Sequence, residues 1–350
     1  MAFAARIVAW QQATGRRDLP WQGLRDPYRV WLSEIMLQQT QVGTVVPYYL
    51  RFVARYPEVG ALARADPGDV MRLWAGLGYY ARARNLHACA RQVVAVHGGE
   101  FPRSARGLAQ LPGIGRSTAA AIAAFCFDER APILDGNARR VLARQFGIPG
   151  YPGAAAVERE LWVCAEALLP PAREMPAYTQ GLMDLGATIC TRTRPRCDAC
   201  PVRASCVAHA TGRVEELPGS RPRRPAPVRS AHLLLVLQRD RVLLEQRPGA
   251  GIWGGLLAPP QFDGVRQLAA ALRTLAPGAR AQAMPPRRHA FTHFTLRFTP
   301  HVARLDPSPA IARQPRLRWL PRREIERAAL PTPIRALLQE VMATARARPH

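Results

Sequence analysis

The chain of 350 residues contains no lysine; all 49 of its basic residues are arginine. No side-chain amine exists to form a Schiff base, which excludes lysine-based covalent chemistry. Acidic residues are also few, 25 against 49 basic ones, leaving a formal net charge of +24. An excess of this size points to a polyanionic partner, with nucleic acid ahead of an anionic membrane. Arginine suits the first, because its guanidinium forks onto phosphates and stacks on bases. Long apolar runs are missing too: no stretch reaches the roughly 20 residues of a membrane span. The opening "MAFAARIVAW" lacks the basic segment and cleavage site of a secretory signal. A soluble, cytoplasmic protein without a membrane partner is expected. Its seven cysteines are an odd number, and four crowd between Cys190 and Cys206. That argues against a secreted disulfide framework and for a ligand cluster in a reducing compartment.

What is present divides into two textures. Apolar residues make up 48% of the chain, enough to give two or three domains a core. Residues 1–209 show amphipathic helical runs, among them 27–41, 68–75, 81–97, 117–127, 137–146 and 154–169, separated by Gly/Pro turns. Residues 210–229 turn proline- and arginine-rich, as an extended linker does. Beyond it, 230–350 offers short strands ("AHLLLVLQ", "RDRVLLEQ" with a tight turn at Arg239-Asp240, "RHAFTHFTLRFTPHVARL", "RLRWLP") and helices at 264–275 and 322–348. The expected architecture is an all-α region followed by a small α+β domain.

Four features carry chemistry. Cys190, Cys197, Cys200 and Cys206 have the spacing C-x6-C-x2-C-x5-C, and four thiolates in one short loop hold either tetrahedral zinc or a [4Fe-4S] cluster. Spacing alone does not choose. "LPGIGRSTAAAI", residues 111–122, is a helix-hairpin-helix pattern: a helix ending near Gln110, a turn over Leu111, Gly113 and Gly115, and a new helix. Its glycines free backbone N–H groups to face an anion such as phosphate, although a plain turn between helices has the same punctuation. Glu34, in "VWLSEIMLQQTQV", has Val30, Trp31 and Leu37 as helical neighbours, surroundings that raise a carboxyl pKa as a general acid requires. Asp135, in "PILDGNARRVL", opens a helix whose dipole favours the anion. One protonated and one ionised acid is the division of labour for breaking a glycosidic bond through an oxocarbenium-like state. The plainer alternatives are a solvated helix position for Glu34 and an N-cap for Asp135 or Asn137.

Taken in order, "RRDLPW", "VWLSEIMLQQTQV", "LWAGLGYYARARNLH", "LPGIGRSTAAAI", "ILDGNARRVLAR" and the cysteine loop resemble the adenine DNA glycosylases, the MutY-type branch of the endonuclease III-like helix-hairpin-helix superfamily. "GIWGGLLAPPQF" and "HAFTHF" resemble that family's C-terminal Nudix-like domain, so the resemblance covers nearly the whole chain. It implies a six-helix-barrel-like module at about 22–132, a cluster module of 1–21 plus 133–209, and a [4Fe-4S] cluster rather than zinc. It implies a monomer that removes adenine opposite 8-oxoguanine or guanine in duplex DNA.

Carried over by position, the resemblance makes Glu34 the acid that protonates departing adenine and Asp135 the group that stabilises the cationic sugar, with Asn137 in support. Gln39 and Tyr79 match residues that wedge into the base stack while adenine is flipped out. Tyr79 in a core and Gln39 on an exposed helix face are the plainer alternatives. Arg17, Trp21, Gln22 and Gln180 fall where the family lines its adenine pocket. Ser117 stands where relatives that also cut the backbone carry lysine. With no lysine in the chain, the implied enzyme is monofunctional and leaves an abasic site. The C-terminal domain lacks the clustered acids with which Nudix hydrolases bind Mg²⁺. The resemblance instead gives Phe291, Thr292 and His293 to recognition of 8-oxoguanine, on a loop tip or on a plain strand.

Overall fold

The computed structural model describes residues 2–222, 225–249, 251–291, 293–305 and 316–343. They form two compact units, one of residues 1–65 and 85–223 and the other of 66–84 and 224–350. Among the described residues no helix is long and apolar enough to cross a membrane.

The first unit is helical: α1 (Phe3–Thr14), α2 (Pro27–Leu37), α3 (Val42–Arg55) and α4 (Val59–Ala63), then, beyond α5 (Pro67–Trp74) of the second unit, α6 (Ala81–His97), α7 (Ala105–Leu108), α8 (Arg116–Phe127), α9 (Gly136–Phe146), α10 (Ala155–Ala167), α11 (Met175–Asp184) and α12 (Val207–Ala210). Helix α8 is its axis. Ala119 through Ala124 are all buried, and a helix apolar all round belongs in the middle of a bundle. Small side chains let α2, α7 and α11 pack on it. Start signals are local: Asp26 caps α2 by accepting from the Tyr28 N–H, followed by Pro27 at the first helical position. Helix α2 stops at Leu37, short of the expected 41, because the glutamine-rich connection turns through Gln39 at φ 58°. Helix α11 runs into a wide turn over Leu185–Ile189 that delivers Cys190.

The second unit is built on a mixed sheet with strand order β3-β2-β1-β7-β5. Its strands are β1 (Val228–Gln238), β2 (Arg241–Gln246), β3 (Leu257–Ala258), β4 (Gln261–Phe262), β5 (Ala281–Ala283), β6 (Arg287–Ala290), β7 (Thr295–Leu305) and β8 (Leu317–Pro321). Strands β1 and β7 run parallel from Val228↔Thr295 to Gln238↔Leu305, while β1 and β2 close on the expected two-residue turn, with Arg239 at φ 53°. Helix α13 (Val265–Leu275) lays Leu268, Leu272 and Leu275 on Leu234 and Val236 of β1. Leu233 and Leu235, which point the other way, are buried as well, so β1 is covered on both faces. The helix expected over 322–348 is shorter: a single turn at Arg322–Glu324 and then α14 (Thr332–Ala343). Pro331 and Pro333 account for this, since proline is tolerated only at the start of a helix.

Candidate active site

Glu34 lies on α2 beside the fully buried Trp31, and its carboxyl lines a cavity of about 1190 Å³. By surface exposure the residue is only half-buried, yet protein packed around the carboxyl disfavours the anion. Burial first, and the negative charge of Asp135 second, push its pKa up to about 8. Asp135 lines the same cavity as the N-cap of α9, its Oδ1 accepting from the Ala138 N–H at 2.8 Å. The helix-terminus argument for an ionised Asp135 is one side of a balance. Burial raises this carboxyl above the ordinary aspartate range, while backbone donors of Ala138 and Asn137 and the charges of Arg140 and Arg139 pull it down. Because only Asp135 has donors and cations favouring its anion, a single shared proton resides on Glu34.

Ser117, on the first turn of α8, accepts a hydrogen bond from the Leu134 N–H at 2.9 Å. It therefore fixes the segment that delivers Asp135, and a hydroxyl that accepts there still has a proton to donate. Asn137 Oδ1 accepts from Arg140 Nη2 at 2.8 Å. The same guanidinium donates to the carbonyls of Gly186 at 2.7 Å and Cys190 at 2.7 Å, joining the start of α9 to the cysteine loop. Gly186 has to be glycine here, since a Cβ would stand 2.5 Å from the Cβ of Asn137.

Ser117, Asn137, Gln39, Arg17, Trp21, Gln22 and Gln180 share the cavity with the two carboxyls. Trp21 is buried edge-on against Tyr49 at 5.1 Å. Gln22 Oε1 accepts from the Leu19 N–H at 3.2 Å, and Gln180 Nε2 donates to Asp184 Oδ1 at 2.9 Å. Arg17 is exposed and donates to the Gln12 carbonyl. Gln39, with φ 58°, is in the left-handed region that ordinary side chains avoid and that clusters at functional sites.

Other sequence candidates lie elsewhere. In the hairpin, Leu111 and Ile114 are buried whereas Gly113 and Gly115 are exposed, so Leu111 anchors the turn and the outward face is backbone. Gly113, at φ 78°, admits no side chain: a Cβ would meet that of Asn85 at 2.7 Å. Tyr79 belongs to the second unit; it is 47% exposed, which excludes core packing, and has φ 48° after Gly78 at φ 72°. Phe291 and His293 occupy the tip between β6 and β7, where Ala290 pairs with Thr295 and the Phe291 N–H donates to the Phe294 carbonyl at 2.8 Å. Phe291 stacks on Phe294 at 4.5 Å, and His293 is exposed. Thr292 lies outside the described residues.

Cys190, Cys197, Cys200 and Cys206 line one small cavity with Arg144, whose Nη1 donates to Cys190 Sγ at 3.4 Å. Burial, with the mutual repulsion of the four sulfurs, pushes the Cys200 thiol up to about 11, so the thiolates need a positively charged ligand to hold them. Among the described residues no three His, Cys, Asp or Glu are grouped closely enough for a single ion.

Sequence reasoning missed Thr118, Arg16 and Asp184. Thr118 lines the cavity and accepts from Gln38 Nε2 at 3.4 Å. Asp184 is fully buried and accepts from the Arg16 backbone N–H at 3.1 Å and from Arg16 Nε at 2.7 Å. Nothing local pairs residues 168 positions apart.

Residues 32–167 match the model of the HhH-GPD superfamily of base excision DNA repair proteins, and 232–340 match the NUDIX domain. The chain is 32% identical over 339 residues to an adenine DNA glycosylase of Buchnera aphidicola, covering 96% of this chain and 97% of the relative. Against the adenine DNA glycosylase of Mus musculus it is 35% identical, covering 97% and 77%. Its fold resembles a thermostable thymine-DNA glycosylase with a TM-score of 0.53 at 30% identity, over 60% of this chain and 95% of that one. A non-covalent endonuclease III–DNA complex, at 20% identity over 61% of this chain and 99% of that one, shares the fold with a TM-score of 0.50. With its helical glycosylase region and Nudix-like domain matched along nearly the whole length, the chain belongs to the adenine DNA glycosylases of the helix-hairpin-helix superfamily.

Proposed function

We propose that this protein removes adenine mispaired with 8-oxoguanine or guanine in duplex DNA, the first step of base excision repair, acting as a monomer and leaving an abasic site. One observation carries the mechanism: Glu34, with its pKa near 8, and the N-capping Asp135 line one cavity. Glu34 gives its proton to a ring nitrogen of the flipped adenine, and the bond to C1′ breaks with its electron pair leaving on the base. Asp135 stabilises the cationic sugar, positioned by Asn137 and by the Ser117–Leu134 hydrogen bond. Water adds to C1′ and its proton passes to the Glu34 carboxylate, which restores the acid and completes hydrolysis. Ser117 cannot form an imine and no lysine exists elsewhere, so backbone cleavage through a lysine imine is excluded.

By the family resemblance, Gln39 and Tyr79 are assigned as wedges that hold the opened stack, Gly113 and Gly115 offer backbone N–H groups to a phosphate beside the anchoring Leu111, and Arg17, Trp21, Gln22 and Gln180 line the adenine pocket. Cys190, Cys197, Cys200 and Cys206 would hold a [4Fe-4S] cluster, whose bonds tie residues 190–206 into one rigid loop. The working division is a barrel module at about 22–132, a cluster module of 1–21 plus 133–209, a linker at 210–229 and a lesion-recognition domain at 230–350. In the last, Phe291, Thr292 and His293 are assigned to recognition of 8-oxoguanine. A hairpin tip rather than mid-strand position for Phe291 and His293 supports that reading.

The test is a panel of duplexes carrying A:8-oxoG, A:G, A:T and an oxidised pyrimidine, with base release and backbone scission scored separately. Release confined to the two adenine mispairs supports the proposal; release of the pyrimidine with scission points to an endonuclease III-like lyase, and binding without release to a non-catalytic DNA-binding protein.

A further inference from the structure

Residues 66–84 pack with the sheet rather than with the helical unit, and Tyr79 goes with them. The segment holds Tyr79 locally. Trp74 Nε1 donates to the Gly78 carbonyl at 3.1 Å, and Arg82 Nη2 donates to the carbonyls of Leu77 at 3.3 Å and Gly78 at 3.4 Å. The Arg82 guanidinium also lies over the Tyr79 ring, 5.4 Å from its centroid. At the start of α6 the Arg82 N–H donates to the Tyr79 carbonyl at 2.8 Å and the Arg84 N–H to that of Tyr80 at 3.2 Å. The backbone of Tyr79 is therefore continuous with the helical turn that carries Arg84.

Arg84 itself reaches outward from that turn. Its Nη1 donates to the Gly254 carbonyl at 2.6 Å, a partner 170 positions away in the chain. Burial lowers the guanidinium's pKa, the mark of a charge drawn out of water for this contact. The receiving loop is built for close approach. A Cβ on Gly254 would stand 2.4 Å from the Gly249 carbonyl oxygen, and Gly255, at φ 77°, has Met71 Cε and Arg84 Cδ 3.4 and 3.5 Å from where its Cβ would be. Trp253, the next residue back, is buried at φ 56°, and its ring lies 6.2 Å from that of Phe291 and 6.2 Å from that of Phe298. Phe291 in turn stacks on Phe294 across the β6–β7 tip. One charged hydrogen bond and a run of packed rings thus connect the Tyr79 segment to that tip.

Resting on the wedge reading of Tyr79 and the lesion reading of residues 291–293, we propose that Arg84 is a positioning residue that couples the two. Its hydrogen bond to Gly254 makes the seating of 8-oxoguanine at the tip and the insertion of Tyr79 into the stack a single event. Tyr79 keeps its conformation through Trp74 and Arg82 when Arg84 is removed, so what is lost is the coupling and not the wedge. Guanine lacks the 8-oxo group that the tip reads, so release from A:G draws little on the coupling.

The experiment is a cycle of variants scored by single-turnover adenine release from A:8-oxoG and A:G duplexes. Tyr79→Ala, His293→Ala and the two together are each measured in the unaltered, Arg84→Met and Arg84→Lys backgrounds. In the unaltered background the double variant is expected to lose about three- to thirtyfold less on A:8-oxoG than the product of the two single losses. Arg84→Met should make the losses multiply and slow A:8-oxoG release by a similar factor, with A:G release kept within about twofold. General loosening of the fold would slow both mispairs alike. Arg84→Lys keeps a charged donor on a long stem and should restore the coupling. Should Arg84→Met fail to fold, Arg84→Gln carries the test, because its shorter side chain does not reach the Gly254 carbonyl. Losses that multiply in the unaltered background, or coupling that survives the loss of Arg84, overturn this inference alone. A Tyr79→Ala or His293→Ala protein as active on A:8-oxoG as the unaltered one overturns that residue's reading and this inference with it.

Discussion

The helical unit and the sheet unit differ in what their frameworks do with acids. In the first, α2 and α9 bring Glu34 and Asp135 to one cavity and set their protonation apart. In the second, α13 of a Nudix-type domain, "VRQLAAALRTL", carries no acid at all. That helix is where a Nudix hydrolase carries its Mg²⁺-binding acids. A fold is a frame for sites rather than a function.

Breaking the helical side should have the largest effect. Asp135→Asn is expected to slow single-turnover adenine release by about 10³-fold or more, because a stabiliser of developing charge is lost. Glu34→Gln should cost about 10²- to 10⁴-fold, because its amide cannot give up a proton. Duplex binding, measured by fluorescence anisotropy, should survive in both.

The same acid should also be a liability to the fold. Folded Glu34 titrates near 8 and an unfolded glutamate near 4.5, so the native state's stronger hold on the proton stabilises it fully below 4.5 and is lost as pH rises through 8. Glu34→Gln should therefore be more stable than the unaltered protein at pH 8, by about 2 kcal/mol after allowance for its partial exposure. The gap in melting midpoint should close towards pH 5. A gap independent of pH would refute the burial argument.

The site was legible where its physics is local. Val30, Trp31 and Leu37 around Glu34 are helical neighbours in the sequence, and Asp135 before Gly136 is a cap signal that needs no tertiary information. What could not be read comes from distant segments: the Arg16–Asp184 clamp, the grouping of residues 66–84 with the second unit, and the inward turn of Leu111. The positive φ of Gln39 and Tyr79 was hidden for another reason. Backbone strain at a residue other than glycine has no compositional signature.

Smaller effects refine the contrast. Ser117→Ala leaves the Leu134 N–H without its acceptor and should lower stability by about 1 kcal/mol in denaturant melts, with a matching loss in the Asp135-dependent rate. On the sheet side, Thr292→Val should reduce the preference for A:8-oxoG over A:G by about three- to tenfold and leave A:G turnover unchanged. An equal loss on both mispairs would move lesion recognition away from the 291–293 tip.

The most direct test of the central claim is the pH profile of single-turnover adenine release from an A:8-oxoG duplex between pH 6 and 9, with strand integrity scored in the same samples. The two-carboxylate account predicts a rate that falls through an apparent pKa near 8 as Glu34 loses its proton, and strands that stay intact until alkali is added. A rate that stays flat to pH 9, or strand breaks before alkali, would contradict it.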